Sequence, residues 1–160
     1  PLSTGELVAG LTAGAVTRAV LVGCTIWLSM VLWPGVHVTP KHIWAVAWFG
    51  LLGSLMLALL GLLTSIWAEK FDHNAAVTNF VVAPLALLSG TFYSVDNLSP
   101  TFAAISHANP FHFAISGFRY GFIGTTDISL TLASAGLIGI NLVLGGLCYI
   151  LMKRGWKIKN

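Results

Sequence analysis

Arg119 has the strongest claim to chemistry among the ionisable residues of this 160-residue chain, because it sits within an apolar, aromatic run. A charged group in such surroundings is costly and is therefore a candidate functional residue. Its guanidinium could contact an anionic substrate or a lipid phosphate. It could instead hold its own segment in place by pairing with Asp96 or Asp127. We favour the structural pairing, and the sequence alone leaves both interpretations open.

Two further sets of polar residues are weaker candidates. Asp72 and His73 could relay protons, although a short solvated loop explains them better. His107 and His112 are five residues apart, whereas two metal ligands on one helical face prefer a spacing of three or four. We therefore expect packing or interfacial histidines and no metal site.

Motifs that bind nucleotides or perform catalysis are absent from the sequence. There is no G-x-x-x-x-G-K-[ST] phosphate loop, no G-x-S-x-G and no H-E-x-x-H. The two cysteines, Cys24 and Cys148, lie inside apolar runs and read as buried small hydrophobes. We predict that the chain is not an enzyme and holds no cofactor of its own.

The composition places the chain in a membrane. Apolar residues make up 56% of the sequence, charged residues make up 8%, and the mean hydropathy is +0.86, whereas soluble domains carry roughly 25% charged residues. A water-soluble globule and a disordered chain are both excluded on these grounds. Half of the eight cations lie in the last eight residues, where they are a topology signal next to an apolar span. No nucleic-acid partner is expected.

Four windows without Asp, Glu, Lys or Arg are long enough to cross a membrane, since about 20 helical residues span its hydrocarbon core. They cover residues 19–40, 42–68, 73–95 and 128–152. Pro34 should end the first helix, so this span must begin earlier, with Arg18 extending toward the headgroups. We predict spans at about 13–33, 43–67, 75–93 and 128–152.

The third window contains Asn79 and Pro84. Pro84 should kink the helix and free a carbonyl that needs a partner inside protein or a wet cavity. This span should therefore face the working interior of the protein. After it, breaks at Pro100 and at Asn109-Pro110 leave two halves that are too short to cross. They predict a re-entrant helical hairpin at about 98–124, within an all-α polytopic membrane protein of four transmembrane helices.

The distribution of Lys and Arg sets the orientation. With four spans and a cytoplasmic C-terminal tail, the cytoplasmic side holds six cations and the other side holds two. The six cytoplasmic cations are Arg18, Lys70, Lys153, Arg154, Lys157 and Lys159. The two on the other side are Lys41 and Arg119. The tail and residues 1–17 are therefore predicted to be cytoplasmic. Ser3 or Thr4 can cap a short amphipathic helix there, with Glu6 in its first turn.

Two segments match the G-x-x-x-G pattern that lets helices approach closely. They are Gly10-Leu-Thr-Ala-Gly14 and Gly117-Phe-Arg-Tyr-Gly121. Because the chain has 17 glycines, chance matches are expected and the signal is weak.

The second half of the sequence resembles the membrane-spanning subunits of type-2 ABC exporters, in which a "P…LSG.F.P…LP…NP…R" pattern occurs in the same order. The matching segments here are Pro84-Leu-Ala-Leu-Leu-Ser-Gly-Thr-Phe-Tyr93, Leu98-Ser-Pro100, Asn109-Pro110-Phe111 and Arg119. Tyr93-Ser94-Val95 departs from the pattern, since many members have a proline after the Phe. The opening Gly5-Glu6-Leu7, with Gly10 and Arg18, is similar to the cytoplasmic coupling segment before the third span of that family.

This resemblance implies the C-terminal two-thirds of a six-span permease of the bacterial inner membrane. Residues 1–17 would be the coupling segment and residues 11–160 the transmembrane domain. Such permeases form dimers, expected here to be homodimers, and bind cytoplasmic ABC ATPase subunits, which would hold ATP and Mg. The substrate would be amphiphilic or polymeric, and a cavity at the dimer interface would open alternately to each side.

The resemblance also implies site residues. The ATPase-coupling residues would be Gly5, Glu6, Leu7 and Arg18. The translocation path would be bordered by Asn79, Pro84, Ser89, Gly90 and Phe92. The outer re-entrant gate would contain Asn109, Pro110 and Arg119.

Two alternatives remain. The chain could be a gradient-driven secondary transporter or channel that uses Arg119 and Asp72/His73, or it could be a non-transporting helical scaffold. An adjacent reading frame with a Walker motif would favour the exporter.

Overall fold

The computed structural model describes residues 3–35, 38–68, 71–89, 106 and 108–154, and within them it consists of helices joined by turns and short irregular connections. In chain order the elements are α1 (Thr4–Leu32), α2 (Ile43–Trp67), α3 (Phe71–Val77), a π-helix (Thr78–Val82), α4 (Ala83–Leu87), α5 (Pro110–Ile123) and α6 (Leu130–Lys153). No strand occurs within these ranges. The predicted all-α class is confirmed.

Within the described part of the chain, three helices are long and apolar enough to span a membrane: α1, α2 and α6. They correspond to the spans predicted at 13–33, 43–67 and 128–152. The span predicted at 75–93 is not found as a single such helix. Its described part is divided among α3, the π-helix and α4, and its end lies outside the described residues. Four spans with a hairpin are therefore not confirmed.

The helix α1 is one continuous element of 29 residues, because no proline interrupts the chain before Pro34. Ser3 is its N-cap: the Ser3 Oγ accepts from the Glu6 N–H (3.3 Å), and the Glu6 carboxylate accepts from the Ser3 N–H (2.7 Å). The predicted capping box is present. The short helix expected before the first span is not a separate element, and the division of residues 1–17 from the span stays a prediction.

A π-helix lies where the sequence predicted a kink at Pro84. The N–H of Ala83 donates to the carbonyl of Thr78, five residues earlier. A proline lacks the N–H, and its ring crowds the carbonyl four residues before it, which here belongs to Phe80. The wider π turn relieves that crowding and lets the helix continue through Pro84 into α4.

The helix α2 is the centre of the fold and packs against α1, α5 and α6. The core consists of Ala45, Phe49, Met56, Phe111, Ala133 and Leu137, contributed by α2, α5 and α6. These three helices therefore form one packed unit, whereas α3, the π-helix and α4 contribute no fully buried apolar side chain to that core.

The helices α2 and α6 run side by side in the same direction. Three hydrogen bonds join them in matching order: Trp48 Nε1 to Ser134 Oγ (3.2 Å), Asn141 Nδ2 to the Leu52 carbonyl (3.1 Å), and Cys148 Sγ to the Leu59 carbonyl (3.5 Å). The α6 residues are seven positions apart, which keeps them on one helical face. Because the two helices are parallel, the chain between them must return to the side on which α2 begins.

Candidate functional site

Asn109 caps two helices at once, at the junction of α4 and α5. Its Oδ1 accepts from the Phe111 N–H (3.0 Å), which caps the start of α5. Its Nδ2 donates to the Leu85 carbonyl (2.6 Å) in the last turn of α4, where carbonyls lack a donor along their own helix. Pro110 takes the first helical position, which needs no N–H donor. Asn109 is only 3% exposed.

His112 makes a second contact across the same junction. Its Nδ1 lies 2.9 Å from the carbonyl oxygen of Ser89, and the ring is completely buried. Because a carbonyl oxygen only accepts, this contact assigns the proton to Nδ1. The sequence predicted a packing or interfacial histidine. His112 is indeed packed in the interior, and it also makes a specific hydrogen bond to the end of the preceding helical segment.

Four polar residues share one face of α5, and we call them the α5 polar stripe: Asn109, His112, Ser116 and Arg119. Their spacings of three, four and three residues keep them on one side of a helix. Ser116 is 1% exposed, and its hydroxyl has no hydrogen-bond partner among the described residues. His112 and Ser116 were not among the predicted site residues, although their spacing with Asn109 and Arg119 is visible in the sequence.

Arg119, at the far end of the stripe, forms a salt bridge and hydrogen bond with Asp127. The two side chains are 25% and 16% exposed, so the pair is partly shielded from its surroundings. This contact supports the structural pairing that the sequence favoured, and it selects Asp127. Asp96 is not among the residues that the structure describes.

The C-terminal end of α5 is held by Lys41 and His42, the two residues directly before α2. Lys41 Nζ donates to the Ile123 carbonyl (2.7 Å), and the His42 N–H donates to the Gly121 carbonyl (2.9 Å). The His42 ring also stacks on Tyr120, with the ring centroids 4.7 Å apart. A cation at the carbonyl end of a helix is electrostatically favourable. Both ends of α5 are thus attached, but to different elements.

One of the two G-x-x-x-G matches is a packing motif. A Cβ at Gly117 would collide with the Phe49 ring, and a Cβ at Gly121 would stand 2.8 Å from the backbone nitrogen of Val46. Both contacts bring α5 directly onto α2. At Gly10 and Gly14, by contrast, an added Cβ would meet no described atom within 4 Å.

The helix α5 has 14 residues, or roughly 21 Å at 1.5 Å per residue, and is too short to cross the ~30 Å hydrocarbon core. It occupies the second half of the hairpin predicted at 98–124. Of the first half, the structure describes Ser106 alone, so the hairpin itself stays a prediction.

The predicted path residues fall into three groups. Asn79 and Pro84 are exposed on the surface of the described chain. Ser89 is buried at the α4–α5 junction, where its carbonyl meets His112. Gly90 and Phe92 are outside the described ranges. The structure therefore brings Ser89 together with Asn109 and does not bring Asn79 or Pro84 to them.

The predicted coupling residues Gly5, Glu6 and Leu7 form the first turns of α1, whereas Arg18 lies roughly 20 Å farther along the same helix. Glu6 is fully exposed and precedes the predicted span at 13–33. The hydrogen bond from the Ser3 backbone N–H, and then that from the Ser3 side chain, lower the pKa of the Glu6 carboxyl. This end of α1 presents a charged group, and Arg18 does not join it.

The start of α1 lies beside the end of α6. A Cβ added to Gly5 would be 3.9 Å from the Tyr149 ring, and the Lys153 ammonium is 5.8 Å from the centroid of that ring. Hence α1 runs antiparallel to α6, and the first turn of α1 shares one end of the bundle with Lys153 and Arg154.

An apolar groove of about 470 Å³ lies between α1, α2 and α5. Cys24, Trp27, Gly50 and Phe118 are among its lining residues. The predicted path residues that the structure describes, which are Asn79, Pro84 and Ser89, do not line it. Cys24 is exposed, contrary to the prediction that both cysteines are buried, whereas Cys148 is buried as predicted. The difference arises because Cys24 faces this groove and Cys148 faces α2.

The residues of the gradient-driven alternative lie far apart. Asp72 and His73 are exposed near the end of α2, where the His73 ring lies 6.0 Å from that of Trp67. Arg119 is on α5, whose C-terminal end is bound to the start of α2. A 25-residue helix separates the two sites by roughly 37 Å, so the fold does not assemble them into one ion site.

The described fold contains three apolar helices of membrane length, α1, α2 and α6, and a shorter helix, α5, with a buried polar face. These features define a polytopic helical membrane protein. The sequence model of the family described as "ABC-2 type transporter" matches residues 1–123. The chain belongs to this family, and the resemblance stated above is confirmed.

The curated relatives include transport permeases. The inner membrane transport permease YadH of Escherichia coli K12 is 35% identical over 161 residues, which cover 100% of this chain and 62% of YadH. Nodulation protein J of Neorhizobium galegae is 29% identical over 141 residues, which cover 83% of this chain and 51% of that protein. The chain thus spans less than two thirds of the length of these relatives. No solved structure matches it.

Proposed function

We propose that the chain forms part of the membrane-spanning permease of an ATP-driven exporter in a bacterial inner membrane, powered by a separate cytoplasmic ABC ATPase. The observation that carries this proposal is the ABC-2 family match over residues 1–123, together with 35% identity to an inner membrane transport permease. The sequence has no phosphate-binding loop, so ATP and Mg would be held by the partner.

The proposed topology has a fourth crossing between α2 and α6. Two neighbouring spans that run in parallel must be linked by a chain that returns through the membrane an odd number of times. Residues 71–89 and the segment after them are the part of the chain available for that return. On this topology the Lys and Arg distribution favours a cytoplasmic position for the start of α1, Lys153 and Arg154.

The first turn of α1 is the proposed docking point for the ATPase. Glu6 is exposed there, at the end of the bundle that carries Lys153 and Arg154, and the capping box fixes its helix turn. Because this helix end is already folded, a displacement applied at Glu6 can be transmitted along α1. Arg18 is too far along the helix to share this contact and would instead lie near the headgroups.

The α4–α5 junction is the proposed outer part of the path. Ser89 and Asn109 lie at this junction with the buried His112. The α5 polar stripe continues from there through Ser116 to Arg119 at its far end, so polar groups line one side of a helix within an otherwise apolar bundle. The substrate class is amphiphilic or polymeric. A second permease subunit is proposed against the exposed surface around Asn79, because an amide facing lipid is unfavourable.

Co-purification of the full-length protein with an ATPase subunit tests the proposal directly. The complex should hydrolyse ATP, and export from cells or vesicles should stop on ATP depletion. Recovery of the permease without an ATPase, with export that persists after ATP depletion and collapses with the ion gradient, would instead support the gradient-driven alternative.

The Glu6→Arg variant tests the docking role, since it should leave ATPase activity present but uncoupled from export. It also breaks the capping box, so Ser3→Ala is the matched control: it removes the cap but keeps the Glu6 charge. Glu6→Gln can keep the cap and removes only the charge. Normal coupling in Glu6→Arg, or equal uncoupling by Ser3→Ala, would remove Glu6 from the docking site.

A further inference from the structure

The junction between α4 and α5 is made by side chains from one helix and backbone carbonyls from the other. Asn109 reaches Leu85 at 2.6 Å and His112 reaches Ser89 at 2.9 Å. Both acceptors lie at the C-terminal end of the π-helix and α4 segment. Two side chains one helical turn apart on α5 thus cap the end of another helical segment.

We propose that His112 is a positioning residue of the export path: with Asn109 it forms a latch that holds α5 on the end of α4, and release of the latch exposes Ser116. The assignment of this latch to an export path rests on the proposed function. The latch itself rests on the two hydrogen bonds and on the burial of the three side chains.

The two hydrogen bonds can act as a latch because the two ends of α5 are attached in different ways. At its other end α5 approaches the α2 backbone at Gly121 and is bound by Lys41 and His42. At the α4 end the described attachment consists of two side-chain hydrogen bonds, each worth a small net free energy, and of the partly buried side chains of Val82, Leu85 and Ala86 against the core. Because Phe111 keeps the start of α5 in the core, opening at this junction would move α4 away and leave the packed unit of α2, α5 and α6 together.

Ser116 is the residue that would report such a separation. It lies one turn beyond His112 on the α5 polar stripe, is 1% exposed, and has a buried hydroxyl without a partner among the described residues. A buried hydroxyl that lacks a partner carries a desolvation cost, which is relieved when the stripe meets water or a polar part of the substrate. Opening at the latch should uncover Ser116 after His112.

The experiment measures the maleimide labelling rate of a Ser116→Cys variant in the full-length permease, with Cys24→Ala and Cys148→Ala as background so that neither natural thiol reacts. Asn109→Ser keeps an N-cap for α5 but is too short to reach Leu85 as well. His112→Leu removes the second bond. Each should raise labelling at position 116 roughly 3- to 10-fold, the range expected for one hydrogen bond.

His112→Asn is the conservative rescue, because its amide nitrogen can take the place of Nδ1. It should keep labelling near the wild-type rate and preserve export, whereas His112→Leu should lower export. A merely space-filling histidine would give the opposite order, since Leu fills the buried site better than Asn. That opposite order, or labelling at position 116 that does not respond to any of the variants, would overturn the latch.

The two proposals fail in different ways. If export proves independent of ATP, the exporter proposal fails, while the labelling rates still measure the latch. If labelling responds as expected but export and ATP turnover are the same in all variants, the latch is not part of the path and His112 is not a positioning residue.

Discussion

Gly121 should be among the least replaceable residues of α5, because its missing side chain lets α5 lie directly on α2. A Cβ at this position would be 2.8 Å from the backbone nitrogen of Val46 and closer still to the Val46 side chain. A backbone atom in the first turn of a packed helix cannot rotate away as a side chain can. The Gly121→Ala variant must therefore move α5 or α2.

The size of the effect follows from two opposed terms. Overpacking a well-packed contact costs about 1–3 kcal/mol, and a backbone neighbour favours the upper half of that range. Replacing glycine by alanine in a helix returns about 0.5–1 kcal/mol. The net destabilisation should be roughly 1–2.5 kcal/mol, or about 2–10 °C in Tm at ~2–4 °C per kcal/mol.

Thermal unfolding of the purified full-length protein in detergent, followed by circular dichroism, measures this shift. Gly10→Ala is the matched control, since it changes the same residue type in the other G-x-x-x-G match and meets no described atom within 4 Å. It should not lower Tm. Gly117→Ala should also lower Tm, because its added Cβ would overlap the ring of the buried core residue Phe49. Equal Tm values for Gly121→Ala and Gly10→Ala would refute the close contact with α2.

Three further predictions concern single polar contacts. Arg119→Met should destabilise the protein more than the double variant Arg119→Met/Asp127→Asn, because the single change leaves the partly buried Asp127 carboxylate unpaired. A double-mutant cycle in chemical unfolding measures this difference. Strictly additive changes in the free energy of unfolding would argue against the pair. Asn141→Leu should change stability by less than about 1 kcal/mol, since one interhelical hydrogen bond in a membrane averages ~0.6 kcal/mol; loss of a folded protein would show that the bond to Leu52 matters more. Ser3→Ala should speed amide exchange in the first turn of α1, as loss of an N-cap costs about 0.5–2 kcal/mol, and unchanged exchange would mean that the cap does not hold this turn.

The long apolar helices could be predicted well from the sequence. The bounds of α2 agree with the predicted 43–67, because an uninterrupted apolar stretch lies between Lys41 and Glu69. The continuity of α1 was missed for a physical reason. A weak amphipathic pattern before Arg18 suggested a separate helix, but nothing in the chain between Thr4 and Leu32 breaks a helix, and so one element forms.

The junction contacts could not be predicted, because their acceptors are backbone carbonyls. Every residue has a carbonyl, so no residue type at position 85 or 89 indicates a bond to Asn109 or His112. The donors were more visible: their spacing with Ser116 and Arg119 is that of a polar helical face. The same limit applies to the glycine pairs, where one pattern occurs twice and only tertiary packing decides which copy is used.

The two ends of α5 are attached by different types of contact, and this difference determines which interhelical contact can open. Its C-terminal half is set by backbone approach at Gly121 and by the ties to Lys41 and His42, which move only if α2 moves. Its N-terminal end is anchored in the core by Phe111 and meets α4 through side-chain hydrogen bonds from Asn109 and His112, next to the partly buried Leu85 and Ala86. A displacement that reaches this bundle through α1 would leave α2, α5 and α6 together and separate α4 from α5. The contact nearest the α5 polar stripe is thus made by side-chain hydrogen bonds and partly buried side chains, and not by close backbone approach.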